Sequence, residues 1–377
     1  MIFSGDKPLF NRKYLLALVW LLPLAIVALN QLAPESDPAA QRIAPQQLWS
    51  PSKKSQVGIY FSQGSGLTSN DRARQALLLE GLALRLDDPE INKLLYQQGW
   101  RVKPQSSSLF TALNITTKES IDTTALARFI DLLQQPPSID WTARIERITA
   151  EAYVAAQNGR QRALNSLLSS GDPQLSGRTY VELVDQPIYL LFQAPEEPLP
   201  LELDDLTPLS SLLPGKSSVS VRSKKAGLIS LWQMPPATSS ETYLAQQAFG
   251  LLVSRALETL PETRILQQLT PQGSLLIVET ASSQETLAAV LGNITPESLA
   301  VRTAIDALEE RWADAAEQSP LAWAEATLLY NLGPDRLTDA LKTLKEQQEP
   351  LLAPLIQRLH EGASRRARLF TAQTSES

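Results

Sequence analysis

This 377-residue chain has few tools with which to do chemistry. It holds one histidine, His360, and no cysteine. That excludes disulfides, iron–sulfur clusters, thiol nucleophiles and a zinc centre built on several histidines or cysteines. Serine catalysis needs a base. His360 lies in LIQRLHEGASRR, at a helix end before Gly362, where it suits the negative end of the helix dipole. No G-x-S-x-G elbow and no complete G-x-x-x-x-G-K-[ST] phosphate loop occurs. The carboxylates that stand out are Asp87 and Asp88, adjacent at a helix end. Such an acid set could hold a hard cation weakly. Adjacent acids before Pro89 also read as a helix-terminal turn facing solvent.

The elements that must position these acids come in two copies of one pattern. The first opens with the β-type run VGIYF (57–61), then a helix from about Asn70 carrying ARQALLLEGLALRL at helical spacing. A short helix (INKLLYQQG), a strand near Trp100–Lys103 and a strand Ser108–Thr116 follow. Thr116 and Thr117 before Glu119 read as the start of the next helix. A Pro-Pro break at 136–137 leads into a long helix over 140–157. The second copy starts after a stretch with five prolines and five acids, 195–218. It repeats the order: AGLISLWQM, a helix capped at Ser239-Ser240-Glu241, the strand GSLLIVET, a capped helix, and a long helix from Thr295 to about Glu317. Helices from Pro320, Asp335 and Pro350 complete it. Gly58 matches Gly227, and Ser108 matches Ser274, at near-constant spacing. The expected class is α+β: two repeated domains, each an antiparallel or mixed sheet covered by helices on one face.

Bulk composition agrees. The apolar fraction is 43% and the charged fraction 20%, ordinary for globular chains. A net charge of -6 argues against a nucleic-acid binder. At the N-terminus, Tyr14 to Ala33 is a twenty-residue run without a charge, preceded by Lys7, Arg12 and Lys13. It reads as a single membrane anchor with a cytoplasmic N-terminus. A cleaved signal peptide and a buried core helix are the alternatives. The expected division is 1–13 cytoplasmic, 14–33 anchor, 34–55 linker, 56–194 first domain, 195–218 linker and 219–377 second domain. The expected location is a bacterial inner membrane with the body in the periplasm.

Gly81-Leu82-Ala83-Leu84-Arg85-Leu86-Asp87-Asp88 resembles the G-L-A-H-x-x-E-H helix of the insulinase/pitrilysin-type metallopeptidases. That family includes the mitochondrial processing peptidase and the core proteins of the cytochrome bc complex. The resemblance covers about residues 56–370. It implies a half-unit of two α+β domains; active enzymes pair two halves into a clam-like shell. In active members the two histidines bind zinc and the glutamate activates water. Leu84 then stands at the first histidine, Asp87 at the glutamate and Asp88 at the second histidine. RIERITAEAYVAA resembles the helix donating the third ligand, which puts Glu146 or Glu151 near that position. Leucine cannot ligate zinc, so the resemblance implies a non-catalytic member without metal or cofactor. Glu262-Thr263-Arg264 resembles the arginine end of an L-R-x-x-x-x-L-G-Y segment that meets substrate, but Ser274 stands where its tyrosine is expected. The implied partner is an active zinc-bearing homologue, with peptide as a shared substrate and no nucleic acid. The alternative is a scaffolding protein of a cell-envelope complex that reuses the fold.

Three other features bear on partners. The basic cluster Arg365-Arg366-Ala367-Arg368 could meet acidic lipid or a partner's carboxylates. Arg144, Arg147, Arg160 and Arg162, interleaved with Glu146 and Glu151, read as a solvated face laced with ion pairs. Trp312 and Trp323 are either core residues or interface anchors.

Overall fold

The computed structural model describes residues 40–62, 66–106, 110–171, 174–186, 188–203, 215–270, 273–319, 321–333 and 335–371. The first copy runs β1 (Gln41–Ala44), β2 (Gln47–Pro51), β3 (Ser55–Ser62), α1 (Ser69–Leu86), α2 (Pro89–Gln98), β4 (Arg101–Ser106), β5 (Phe110–Thr117), α3 (Thr123–Gln134), α4 (Thr142–Ala156), α5 (Gly159–Leu167), α6 (Gly177–Val184) and β6 (Ile188–Ala194). The second runs β7 (Ser218–Arg222), β8 (Gly227–Met234), α7 (Ser240–Ala256), β9 (Arg264–Thr270), β10 (Gly273–Thr280), α8 (Gln284–Gly292), α9 (Leu299–Gln318), α10 (Ala322–Leu329), α11 (Leu337–Glu346), α12 (Gln348–His360) and β11 (Arg365–Phe370).

The two sheets share one topology. The first has the order β1-β2-β6-β3-β5-β4, the second β7-β11-β8-β10-β9. Apart from the added β1, strand follows strand in the same way. In each, the pair made by the strand before the copy and the strand that closes it is parallel, β2 with β6 and β7 with β11. The remaining pairs are antiparallel. The repeat read from the sequence is therefore a repeat of sheet topology.

Each sheet packs one face on its own helices. Val57, Ile59 and Phe61 of β3 meet Leu77, Leu78 and Leu82 of α1 and Phe129 of α3. Trp232 and Met234 of β8 meet Phe249 and Val253 of α7 and Leu308 of α9. Fully burying one such side chain contributes about 2 kcal/mol. The helices start where their caps dictate. Thr68 accepts from the Asp71 amide, and Ser239 forms a reciprocal capping box with Thr242.

The opposite faces are covered by exchange. α5 of the first copy lays Ala163, Leu164 and Leu167 on Ile229, Leu231, Leu275 and Ile277 of the second sheet. α10 of the second copy lays Ala324 and Leu328 on Leu48, Tyr60, Tyr189 and Leu191 of the first. α5 follows the long helix of its copy, as α10 does, so the same element makes the exchange both ways. An arginine seats each helix at its C-terminal carbonyls, where donors are wanted. Arg365 donates to Leu167 O at 2.6 Å, and Arg42 to Thr327 O at 3.3 Å and Leu332 O at 3.1 Å. Helical cover on one face is thus corrected to cover on both.

Several expectations shift. The stretch 34–55 carries β1 and β2 at 41–51, held by pairing to β6 rather than extended as a tether. Thr116 and Thr117 do not begin a helix: they continue β5, paired with Arg101 and Ser55, and Asp122 caps α3 instead. The basic cluster forms β11, an interior strand between β7 and β8. Trp312 is buried and Trp323 half-buried, stacked edge to face with ring centroids 5.3 Å apart. The expected anchor at 14–33 lies outside the described residues. The inner-membrane placement is corrected: among the described residues no helix is long and apolar enough to cross a membrane.

Candidate functional site

The 81–88 frame occupies the last turns of α1. Gly81 is required there by close approach, because a Cβ would come within 2.3 Å of the Tyr180 ring of α6 and 3.2 Å of Trp141. Leu82 is buried in the first core and Leu84 is half-buried against it. Arg85, only 4% exposed, turns inward. It donates through Nε (3.0 Å) and Nη2 (2.7 Å) to Leu132 O in the last turn of α3, and through Nη1 (2.9 Å) to Asp88 Oδ2. Tyr180 donates to the neighbouring Leu133 O at 2.8 Å. The C-terminus of α3 is capped by one cation and one phenol from two other helices. Burial raises the Tyr180 phenol above its ordinary range, and the nearby Arg85 charge opposes that rise.

The acids of the frame have separate roles. Asp87 is the exposed C-cap of α1. Asp88 accepts from Glu90 N at 2.9 Å as N-cap of α2 while holding Arg85. On α4, Glu146 is exposed, and Glu151 is exposed and pairs with Arg147 at 3.0 Å. A residue the sequence reading did not single out joins the two helices: Glu80 binds Arg144 at 2.7 Å and Arg147 at 3.4 Å. These pairs fit the solvated, ion-paired face that Arg144 and Arg147 suggest in the sequence. Only the partner on α1 was hidden, since nothing in the sequence sets Glu80 beside α4. Partly exposed pairs like these contribute about 0.5 kcal/mol each.

This donor set does not fit zinc. Leu84 has no donor atom, Asp88 is committed to a cap and an ion pair, and Asp87 points to solvent. Among the described residues no group of three or more His, Asp or Glu side chains is arranged to hold a metal.

Arg264 lies elsewhere. It is exposed at the start of β9, in a cleft of about 830 Å³ that it shares with Arg222, Lys224, Lys225 and Glu262. The far wall is Gln157–Gly159, where α4 hands over to α5. The structure thus brings the end of α4 to Arg264 but brings neither residues 84–88 nor Glu146 and Glu151 there. Glu262, in the left-handed region at φ 49°, pairs with Lys225 at 2.9 Å. Its hydrogen bond and charge attraction to Lys225 hold its carboxyl below the ordinary range, and Arg264 adds to the effect. Ser274 is buried in β10 and its hydroxyl has no hydrogen-bond partner. His360 is exposed, with Nε2 3.2 Å from Leu291 O.

No family model matches the sequence, and no curated protein matches it. Solved structures do match in fold. The inactive domain of an M16 peptidase from Pseudomonas fluorescens superposes with TM-score 0.56 at 12% identity, over 89% of this chain and 97% of that one. A chain of complex III from Candida albicans gives 0.52 at 13%, over 84% and 92%. The periplasmic protease PqqL from Escherichia coli gives 0.52 at 10%, over 90% of this chain and 48% of that one. At these identities the likeness establishes the fold: α+β, with two mixed sheets covered by helices, as in M16-like, or insulinase-type, peptidases.

Proposed function

We propose that this chain is a non-catalytic half-unit of the insulinase/pitrilysin type, which pairs with a zinc-bearing homologue and supplies wall and peptide contacts to their shared chamber. One observation carries the reading: the three motif positions are spent on packing, capping and an inward ion pair, on a fold that otherwise keeps the family's frame. Two comparisons support it. The chain matches an inactive domain over nearly that domain's whole length, and it corresponds to about half of a longer protease. In this reading Arg264, beside Arg222 and Lys224, meets carboxylates of the bound peptide.

Isolation of the tagged full chain at native expression tests this. The expected result is a stoichiometric complex with a chain of similar length carrying H-x-x-E-H, whose peptidase activity falls when this chain is deleted. Isolation alone would overturn the pairing. A second reading, a scaffold within a larger assembly, is favoured by the match to a complex III chain. It predicts that deletion leaves any homologue's peptidase activity intact and disturbs an assembly instead.

A further inference from the structure

The two copies differ at one equivalent place. In the first, β6 shows Ile188, Leu190 and Phe192 to the helical side, 5%, 0% and 0% exposed. They are covered in part by chain after the strand. Leu201 and Leu203 pack on that core. Gln47 of β2, itself buried, grips one peptide unit from both sides: its Nε2 donates to Leu201 O at 2.6 Å and its Oε1 accepts from Leu201 N at 2.9 Å. The acidic–apolar segment LPLEL (199–203) thus holds Leu201 and Leu203 against the first core beside β2, with Leu199 left exposed.

In the second copy no such cover lies on the equivalent strand among the described residues. Leu190 pairs with Ile59 of β3, and Arg368 pairs with Leu228 of β8, the counterpart of Ile59 at the Gly58–Gly227 spacing. Arg366, Arg368 and Phe370 therefore take the places of Ile188, Leu190 and Phe192. They line a groove of about 1240 Å³, walled by the start of α8 at Ala281–Gln284. Phe370 remains 44% exposed. Among the described residues no carboxylate lines the groove, and neither guanidinium has a hydrogen-bond partner there. Arg366 also borders a slot of about 130 Å³ whose apolar walls include Trp232, Leu287, Leu291 and Leu359.

We propose that this groove docks an extended acidic–apolar segment of a partner polypeptide, set against β11 much as Leu201 and Leu203 are set against the first core. A leucine-type side chain enters the slot, and flanking carboxylates meet Arg366 and Arg368 in charge-assisted pairs. The inference does not rest on the reading of residues 84–88 and stands if the peptidase pairing fails.

Fluorescence anisotropy of the full chain with a labelled peptide of the chain's own sequence EEPLPLELD (196–204) tests it. Saturable binding is expected, weakened about tenfold or more by the double change Arg366→Glu/Arg368→Glu and by glutamine in place of the peptide's acids. An unchanged melting temperature of the double variant shows that it folds. Equal binding by that variant, or no binding up to roughly 1 mM peptide, would overturn the proposal. So would binding that appears only after the chain is cut short at Thr371, since the groove would then belong to its own last residues.

Discussion

Gly81 and Arg85 show what the motif frame does in this chain. A methyl group at Gly81 would strike the Tyr180 ring, whose hydroxyl is fixed to Leu133 O, so the ring has little freedom to yield. Gly81→Ala should lower stability by about 2 kcal/mol in urea denaturation, as overpacking does. Gly250 of α7 lies at the same spacing from Gly81 as Gly227 from Gly58, and the atoms nearest to a Cβ there belong to the end of the Gln267 side chain. Gly250→Ala should therefore cost less. Arg85→Leu strands Asp88 and the Leu132 carbonyl, both held by that guanidinium; the loss should be about 3 kcal/mol. That Leu84 has no donor atom and that Asp87 and Asp88 close a helix could be read from the sequence. The inward turn of Arg85 could not, because its partner is a backbone carbonyl of α3, forty-odd positions away and without a sequence signature.

Among the elements, α10 has the most exacting seat. Tyr60 of β3, buried, donates to Glu325 Oε1 at 2.7 Å across the exchanged interface. Burial raises the Glu325 carboxyl above its ordinary range, and the Tyr60 hydrogen bond opposes this only in part. A carboxyl with a raised folded pKa favours the native state fully below its unfolded value. That contribution is lost as pH rises through the folded value. Tyr189 and Arg42 also face this interface, where burial shifts the Tyr189 phenol up and the Arg42 guanidinium down. Glu325→Gln should thus compare better with the parent at pH 8 than at pH 5, read as the difference in melting temperature; no change in that difference would remove Glu325 from the pH response. Elements with strong periodicity, α1, α4, α7 and α9, were legible to within a few residues. β11 was not: RRARLF looks like a solvated basic run, yet Ala367 and Leu369 are buried toward α5 with Arg365 on the same side, while Arg366 and Arg368 alternate to the other face. β6, IYLLFQA, is apolar on both faces and so carries no period-two signal.

For the whole molecule, the duplication could be read from the repeated order of elements and two matched positions, and the shared strand order is its structural form. The reciprocal seating of α5 and α10 could not, since each helix is amphipathic towards a sheet that lies in the other copy. It has a consequence for covalent continuity. Each half supplies the missing roof of the other, so the peptide link between them is needed only to raise their effective concentration. A protease site placed between Leu203 and Gly215 should, once cut, leave two fragments that travel together through gel filtration. Separated in denaturant, neither should refold alone, because each would bare an apolar sheet face; remixed, they should recover the native circular dichroism spectrum. The chain would then behave as a split protein, two complementing pieces whose affinity is written into one exchanged helix apiece.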